Sequence, residues 1–272
     1  MKVTAHICRL HSVTKRLLHI MSVHNLVYRA IKPEPALADL VESFWMLHNP
    51  TDQDQDVIIL PDGRIDLFFS ISATLPYHAL LRGLDHEPSH TIILPKTTTF
   101  AVSLTLLAAE YLLNQSVAPI LNKGTLLSSD FWGMTADDLI DFDAFCDKVS
   151  TQIRNSRQDP IDKRKQKLAA LLYATQGVLS VQELAETVSW SSRQINRYFA
   201  QWFGLSLKAY CNILRFRASF GHLKEGKLFP EQNFADQAHF IREVEKYAGV
   251  SPKKLSKNPD DRFIQFSLLP KP

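Results

Sequence analysis

Two helix-start signatures set eleven residues apart constrain this chain more than any other feature of its sequence. Ser180 and Glu183 have capping-box spacing, in which the hydroxyl accepts an orphan N–H of the first helical turn and the carboxylate returns to the cap's own amide. Ser191 and Gln194 repeat the arrangement. The interval leaves room for one short helix, a tight turn at Val188-Ser189-Trp190, and a second helix that ends at Gly204. That spacing predicts a helix-turn-helix. On the second helix Ile195, Tyr198, Phe199, Trp202 and Phe203 share one stripe, the buried face expected of an amphipathic helix. Arg193, Asn196, Arg197 and Gln201 take the other. Arginine pairs bidentately with guanine or phosphate and asparagine with adenine, so this outer face carries the chemistry of a base-reading surface.

The charge distribution agrees with an anionic partner. Residues 1–159 hold 13 Lys and Arg against 18 Asp and Glu, whereas residues 160–272 hold 18 against 10. A basic half of this kind points to nucleic acid or another anionic surface. Downstream, Ser206 opens a helix read to Lys224, with Leu207, Tyr210, Cys211, Leu214, Ala218 and Leu223 inside and Lys208, Arg215 and Arg217 outside. At 1.5 Å per residue it would span roughly 28 Å. Asp236 then caps a further helix with Phe240, Val244 and Tyr247 on its apolar side, Gly249 stops it, and Ser251-Pro252 starts one more.

Two blocks, SxRxINRYFxxxFGLS at 191–206 and NFADQAHFIREVEKYAGVSP at 233–252, resemble the AraC/XylS-type transcriptional regulators. The resemblance covers about residues 164–256. It implies two helix-turn-helix units joined by a central helix, with two recognition helices in consecutive major-groove segments. It places Ser191, Arg193, Asn196 and Arg197 at the DNA-binding positions of the first unit, and Gln237, Ala238, Ile241 and Arg242 at those of the second. His239 matches a histidine of the family's pattern and is read as a core residue. Two departures stand out. Leu207 replaces a proline that the family commonly carries, and the stretch EGKLFPEQ, with Gly226 and Pro230, is about four residues shorter than the helix that should support the second unit. The first unit is therefore the expected base reader.

Residues 28–104 alternate short apolar runs with Pro, Gly and Asp, which reads as β-rich. Ile65, Leu67, Phe69 and Ile71 alternate with Asp66, Phe68 and Ser70, the period that turns one strand face to a core. Pro61-Asp62-Gly63 before them has turn chemistry. A barrel or sandwich is expected. Its LPDGRIDLFFS stretch after VESFW is similar to the N-terminal domain of one AraC-type subgroup, which implies effector sensing or dimerisation; Trp45, Phe69 and Phe100 are candidate pocket walls, each weighed against plain core. Helices are expected over 104–113, 135–150 and 161–174, the last capped by Asp159 ahead of Pro160.

The resulting expectation is an α+β chain: a poorly ordered basic extension at 1–27, with Met21 as an alternative start; a β-rich barrel-like domain at 28–152; a linker at 153–163; an all-α double helix-turn-helix domain at 164–256; and a tail at 257–272. The partners implied are double-stranded DNA, a small-molecule effector, RNA polymerase should the protein activate transcription, and a second copy of the chain; no cofactor, membrane or metal is expected. Cys8, Cys146 and Cys211 are scattered, which excludes a disulfide framework or structural zinc site and fits a reducing cytoplasm. The longest apolar stretch, 101–113, is too short to span a bilayer and contains Glu110. His86-Glu87-Pro88-Ser89-His90 satisfies the HExxH zinc pattern, but Pro88 opposes the helix that its chemistry requires. The alternative weighed is a cupin-like metal enzyme fused to the helical module, on His48, His78, His86 and His90, although these lack an HxH pair. No nucleophile elbow, P-loop or dinucleotide fingerprint occurs, so no enzyme is expected.

Overall fold

A computed structural model describes residues 17–23, 25–229, 234 and 236–267. An N-terminal β-rich half is followed by a helical half, as expected. Strands β1 (Leu17–Val23), β2 (Leu26–Ile31), β3 (Val41–His48), β4 (Gln55–Ile59), β5 (Ile65–Ile71), β6 (His78–Arg82), β7 (Ser89–Ile93), β8 (Thr98–Leu104) and β9 (Gly124–Leu126) form two antiparallel sheets. Seven strands run in the order β1-β2-β3-β8-β5-β6-β9, and β4 pairs with β7. Strand β1 lies inside the stretch read as a disordered extension, and its register with β2 runs from Leu17 opposite Ile31 to Val23 opposite Leu26. The rest of that extension, 1–16 with Met1 and Cys8, lies outside the described residues.

The alternation along β5 builds two buried faces. Ile65, Leu67 and Phe69 pack beneath helix α2 (Phe142–Ser156), with the Phe69 ring 5.5 Å from that of Phe145. On the neighbouring strand Phe100 lies 5.2 Å from Phe142 and 5.3 Å from Phe145, in edge-on contacts favoured by the ring quadrupole. Phe69 and Phe100 are therefore plain core. The other face, with Asp66, Phe68 and Ser70, lines a half-open cavity that the β4-β7 pair also lines.

Helix α1 (Leu107–Tyr111) is shorter than its apolar pattern. The helix expected over 135–150 is two elements: a 3-10 turn at Ala136–Leu139 opened by Thr135 and Asp138, then α2, whose cap Asp141 accepts the N–H groups of Asp143 and Ala144. A carboxylate on two orphan donors starts a new helix at low cost. Helix α2 runs on to Ser156, inside the stretch read as a linker. Helix α3 (Lys163–Ala174) is capped by Asp162, which accepts the N–H of Arg164 at 2.8 Å, and not by Asp159, which precedes a cis peptide bond.

Beyond it come α4 (Val181–Thr187), α5 (Ser192–Phe203), α6 (Leu207–Ala218) and α7 (Phe220–Lys224). The single helix expected over 206–224 is interrupted at Ser219, whose hydroxyl donates to the Phe216 carbonyl at 2.6 Å, a back-bond that bends helices. Helices α8 (Gln237–Ala248), α9 (Pro252–Lys257) and α10 (Ile264–Ser267) complete the chain. The stretch read as a tail folds back in its described part: the Gln265 side chain bonds both the N–H and the carbonyl of Leu60 at 2.9 Å, and Ile58 N–H donates to the Arg262 carbonyl at 2.7 Å.

The two halves share one continuous apolar core. Its tightest junction is at Gly63, where φ is 77° and a Cβ would lie 3.0 Å from Leu214 and 3.3 Å from Tyr210. The Tyr210 hydroxyl donates to the Gly63 carbonyl at 2.9 Å. Gly63→Ala combines a left-handed backbone with a side chain that has no room, so it should lower stability by about 1–3 kcal/mol, read as a lower urea midpoint at unchanged slope.

Candidate functional site

Both capping boxes form. Ser180 accepts the Glu183 N–H while Glu183 accepts that of Ser180 at 2.7 Å, and Ser191 and Gln194 do the same at the head of α5. Ser189, at φ 52°, makes the turn between α4 and α5. Ile195, Phe199 and Phe203 are buried, while Tyr198 and Trp202 are half-buried. The opposite face is free: Arg193 and Arg197 are exposed and lie one turn apart on α5.

The other residues expected at the interface are placed less simply. Ser191 is exposed but spends its hydroxyl on Gln194. Asn196 is half-buried; it donates to the Ser192 carbonyl at 3.0 Å and accepts the Leu207 N–H at 3.2 Å, tying α5 to the first turn of α6. Gln237, Ala238 and Arg242 are exposed on α8, Ile241 is half-buried, and Asp236 caps the helix through the His239 N–H at 2.7 Å. His239 is half-buried with its ring 5.7 Å from Phe234. Residues 225–229, ahead of this unit, form no helix. The rest of the shortened stretch, 230–232, lies outside the described residues.

The inner face of α5 is docked on the β-rich half. Ser116 donates to the Gln201 carbonyl at 2.7 Å and Val117 N–H to that of Trp202 at 2.9 Å. Gly204, at φ 75°, approaches Ala118 so closely that a Cβ would lie 3.1 Å from its carbonyl oxygen. Tyr198 donates to Glu110, which also holds Lys165 at 2.6 Å. Sequence pattern alone marked the stripe as apolar; that its partner is the other half of the chain has no local signal.

The second feature is the cavity between the sheets, about 920 Å³ in volume. Trp45, Phe68, Asp66 and Ser103 line it from the β sheet, and Tyr173, Leu214 and Phe220 from the helices. Of the three candidate pocket walls only Trp45 is one. Asp66 is the informative residue, missed because an alternating strand reads as one wet face. Burial first, and then the neighbouring Asp62, push its carboxyl up to about 7, against the hydrogen bonds from Ser103 and Trp45. Arg64 is buried with its guanidinium 4.3 Å from the Tyr173 ring centre and paired to Glu42 at 3.2 Å.

The zinc pattern is not assembled: His86 sits in a bend held by Asn122, and His90 lies on β7. Among the described residues no group of three His, Cys, Asp or Glu side chains stands close enough to hold a metal ion. Cys146 and Cys211 are buried thiols that form no disulfide. No helix among the described residues is long and apolar enough to cross a membrane.

Residues 29–125 match a family described as Domain of unknown function (DUF6597). No curated protein matches the sequence significantly. Among solved structures, ToxT from Vibrio cholerae matches at 12% identity and a TM-score of 0.43, over 75% of this chain and 97% of that one. ToxT from Vibrio cholerae O395 bound to (E)-4-(8-methylnaphthalen-1-yl)but-3-enoic acid matches at 12% and 0.44, over 75% and 98%. A ToxT from Vibrio cholerae with bound unsaturated fatty acid matches at 10% and 0.36, over 74% and 92%.

Two outcomes follow from these placements. Asn196→Ala should lower stability by about 1–2 kcal/mol, since it leaves the Leu207 N–H without its acceptor; an amide used only to touch bases would leave thermal melting unchanged. For Asp66 the folded carboxyl lies above its unfolded value of about 3.9, so its contribution is full below about pH 4 and is lost as pH rises through about 7. Asp66→Asn should therefore flatten the fall of melting temperature with rising pH, and raise it at about pH 8 by at least about 2–4 °C, the shift given by about 1 kcal/mol in a chain of this size.

Proposed function

We propose that this protein is a sequence-specific DNA-binding transcription regulator of the AraC/XylS type, with residues 164–256 on the duplex and the β-rich half, 28–152, as its effector-binding module. The observation that carries the reading is the exposed Arg193 and Arg197 pair on α5, a helix whose opposite face is wholly engaged by its own protein. Such a helix presents guanidinium groups to a major groove without surrendering core packing. Basic side chains at phosphates supply affinity that falls steeply with salt, and base contacts supply sequence choice. On α8, Gln237, Ala238 and Arg242 offer a second contact surface, which widens the protected site to a second groove turn.

Support for the effector role comes from the cavity, whose walls belong to both halves. A molecule held there touches β5 and α6 together, and α6 follows directly from the recognition helix. An effector shifts DNA affinity only by its differential affinity for the two states. Acting as an activator, the protein would also engage RNA polymerase.

Binding fragments are selected from genomic DNA, and gel shifts on the enriched motif are then run at fixed salt. Arg197→Ala should weaken specific binding by about 1–3 kcal/mol while leaving random-duplex binding nearly unchanged. Equal weakening on both duplexes would reassign Arg197 to phosphate, and no binding to any duplex at low salt would sink the regulator reading.

A further inference from the structure

The carboxylates around the cavity are unequally compensated. Glu42 is paired with Lys32 at 2.8 Å and Arg64 at 3.2 Å, and Arg217 on α6 also acts on it. Asp85 holds Arg82 through two bonds of 2.8 and 2.9 Å. Asp66 and Asp62 make no such pair among the described residues. Asp66 accepts only from neutral donors, the Ser103 hydroxyl at 2.5 Å, itself the acceptor of the Trp45 indole N–H at 3.0 Å. Asp62 accepts the backbone N–H of Arg64 at 3.0 Å. A buried carboxylate without a cation is costly, and two close together cost more.

Around Asp66 the walls are aromatic. The Trp45 and Phe68 rings meet at 5.5 Å and 73°, and Tyr28 lies 6.2 Å from Trp45. All three are half-buried and line the cavity. Ring faces attract ammonium groups, most strongly where water is excluded. Burial, followed by Asp66 and Asp62 and against Arg217, holds the Tyr28 phenol well above its ordinary value.

We propose that the cavity takes an organic cation, with its ammonium head seated on Asp66 beside the contacting Trp45 and Phe68 rings and its apolar body toward Leu214 and Phe220. The proposal rests on the effector-binding reading of the β-rich half and adds the chemical class of the ligand. A volume of about 920 Å³ holds a small molecule with room to spare. An anionic ligand would be drawn instead to Arg64, whose Nε and Nη1 have no hydrogen-bond partner among the described residues, or to Arg217.

Three probes of one shape test the assignment on the full chain: phenylbutylamine, phenylbutanol and phenylbutyrate, titrated by calorimetry. At about pH 8 the amine should bind at least about tenfold more tightly than the alcohol or the carboxylate. Between about pH 8 and about pH 6 amine affinity should fall about tenfold, because Asp66 takes up the proton that the ammonium must displace. The charged groups lining the cavity with Asp66 are Asp62 and Arg64 just before it in the chain, Arg82 and Asp85 at and beyond the end of β6, Glu42 on β3 with its partner Lys32, and Arg217 on α6. His78 also lines the cavity, so the control is that the fall should persist in His78→Gln and vanish in Asp66→Asn. Asp66→Asn should keep alcohol binding, which shows the cavity intact, while losing the amine preference. Tighter binding of the alcohol or carboxylate, an unchanged preference in Asp66→Asn, or no heat with any probe at millimolar concentration overturns the cation. The alcohol or carboxylate binding best and shifting affinity for the enriched duplex would overturn the cation alone. The amine binding as expected without such a shift would uphold the cation and overturn the effector role.

Discussion

The contact between Gly63 and Tyr210 sets the spacing on which the rest of the molecule depends. A Cβ there would lie 3.0 Å from the Leu214 side chain and 3.3 Å from the Tyr210 ring, so both would have to shift by a few tenths of an ångström, beside the Tyr210 bond to the carbonyl at 2.9 Å. With the contact made, one apolar core runs from the β sheet into the helices. Arg64 is brought over Tyr173, and Asp66, three residues after the glycine, faces a space whose far wall is α6 and α7. The cavity exists because two elements distant in sequence close on it.

The same closure connects the arginine-bearing helix α5 to the cavity. Helix α5 is held from behind by Ser116, Val117 and Glu110 and is tied ahead to α6 through Asn196. Packed interfaces of this kind move between discrete arrangements more readily than they deform. The folded-back C-terminal segment adds a third wall, since Gln265 grips Leu60 at the mouth of the cavity.

Where local signals exist, sequence and structure agree closely. The Ser180 and Ser191 boxes, the Gly204 and Gly249 stops and the Asp236 cap all stand where their spacing put them. Where a signal has two readings, the structure chose the other: Asp162 caps α3 in place of Asp159, Asp141 divides the helix expected over 135–150, and Ser219 breaks the long central helix. In each case a side chain competing for a backbone group outweighed apolar periodicity. Strand β1 and the return of residues 262–267 were hidden, because strand pairing between distant segments leaves no local periodicity to read.

The sequence by itself determined the helix-turn-helix pair and which face of α5 carries arginine, because capping and helical period act over four residues and need no partner. Only the tertiary structure decided that the Asp66, Phe68 and Ser70 face of β5 encloses a cavity, that Phe69 and Phe100 are core, and that the Asn196 amide is engaged within the helix pair. A strand's alternation says that two faces differ; what each face meets is set by elements that arrive from elsewhere in the chain.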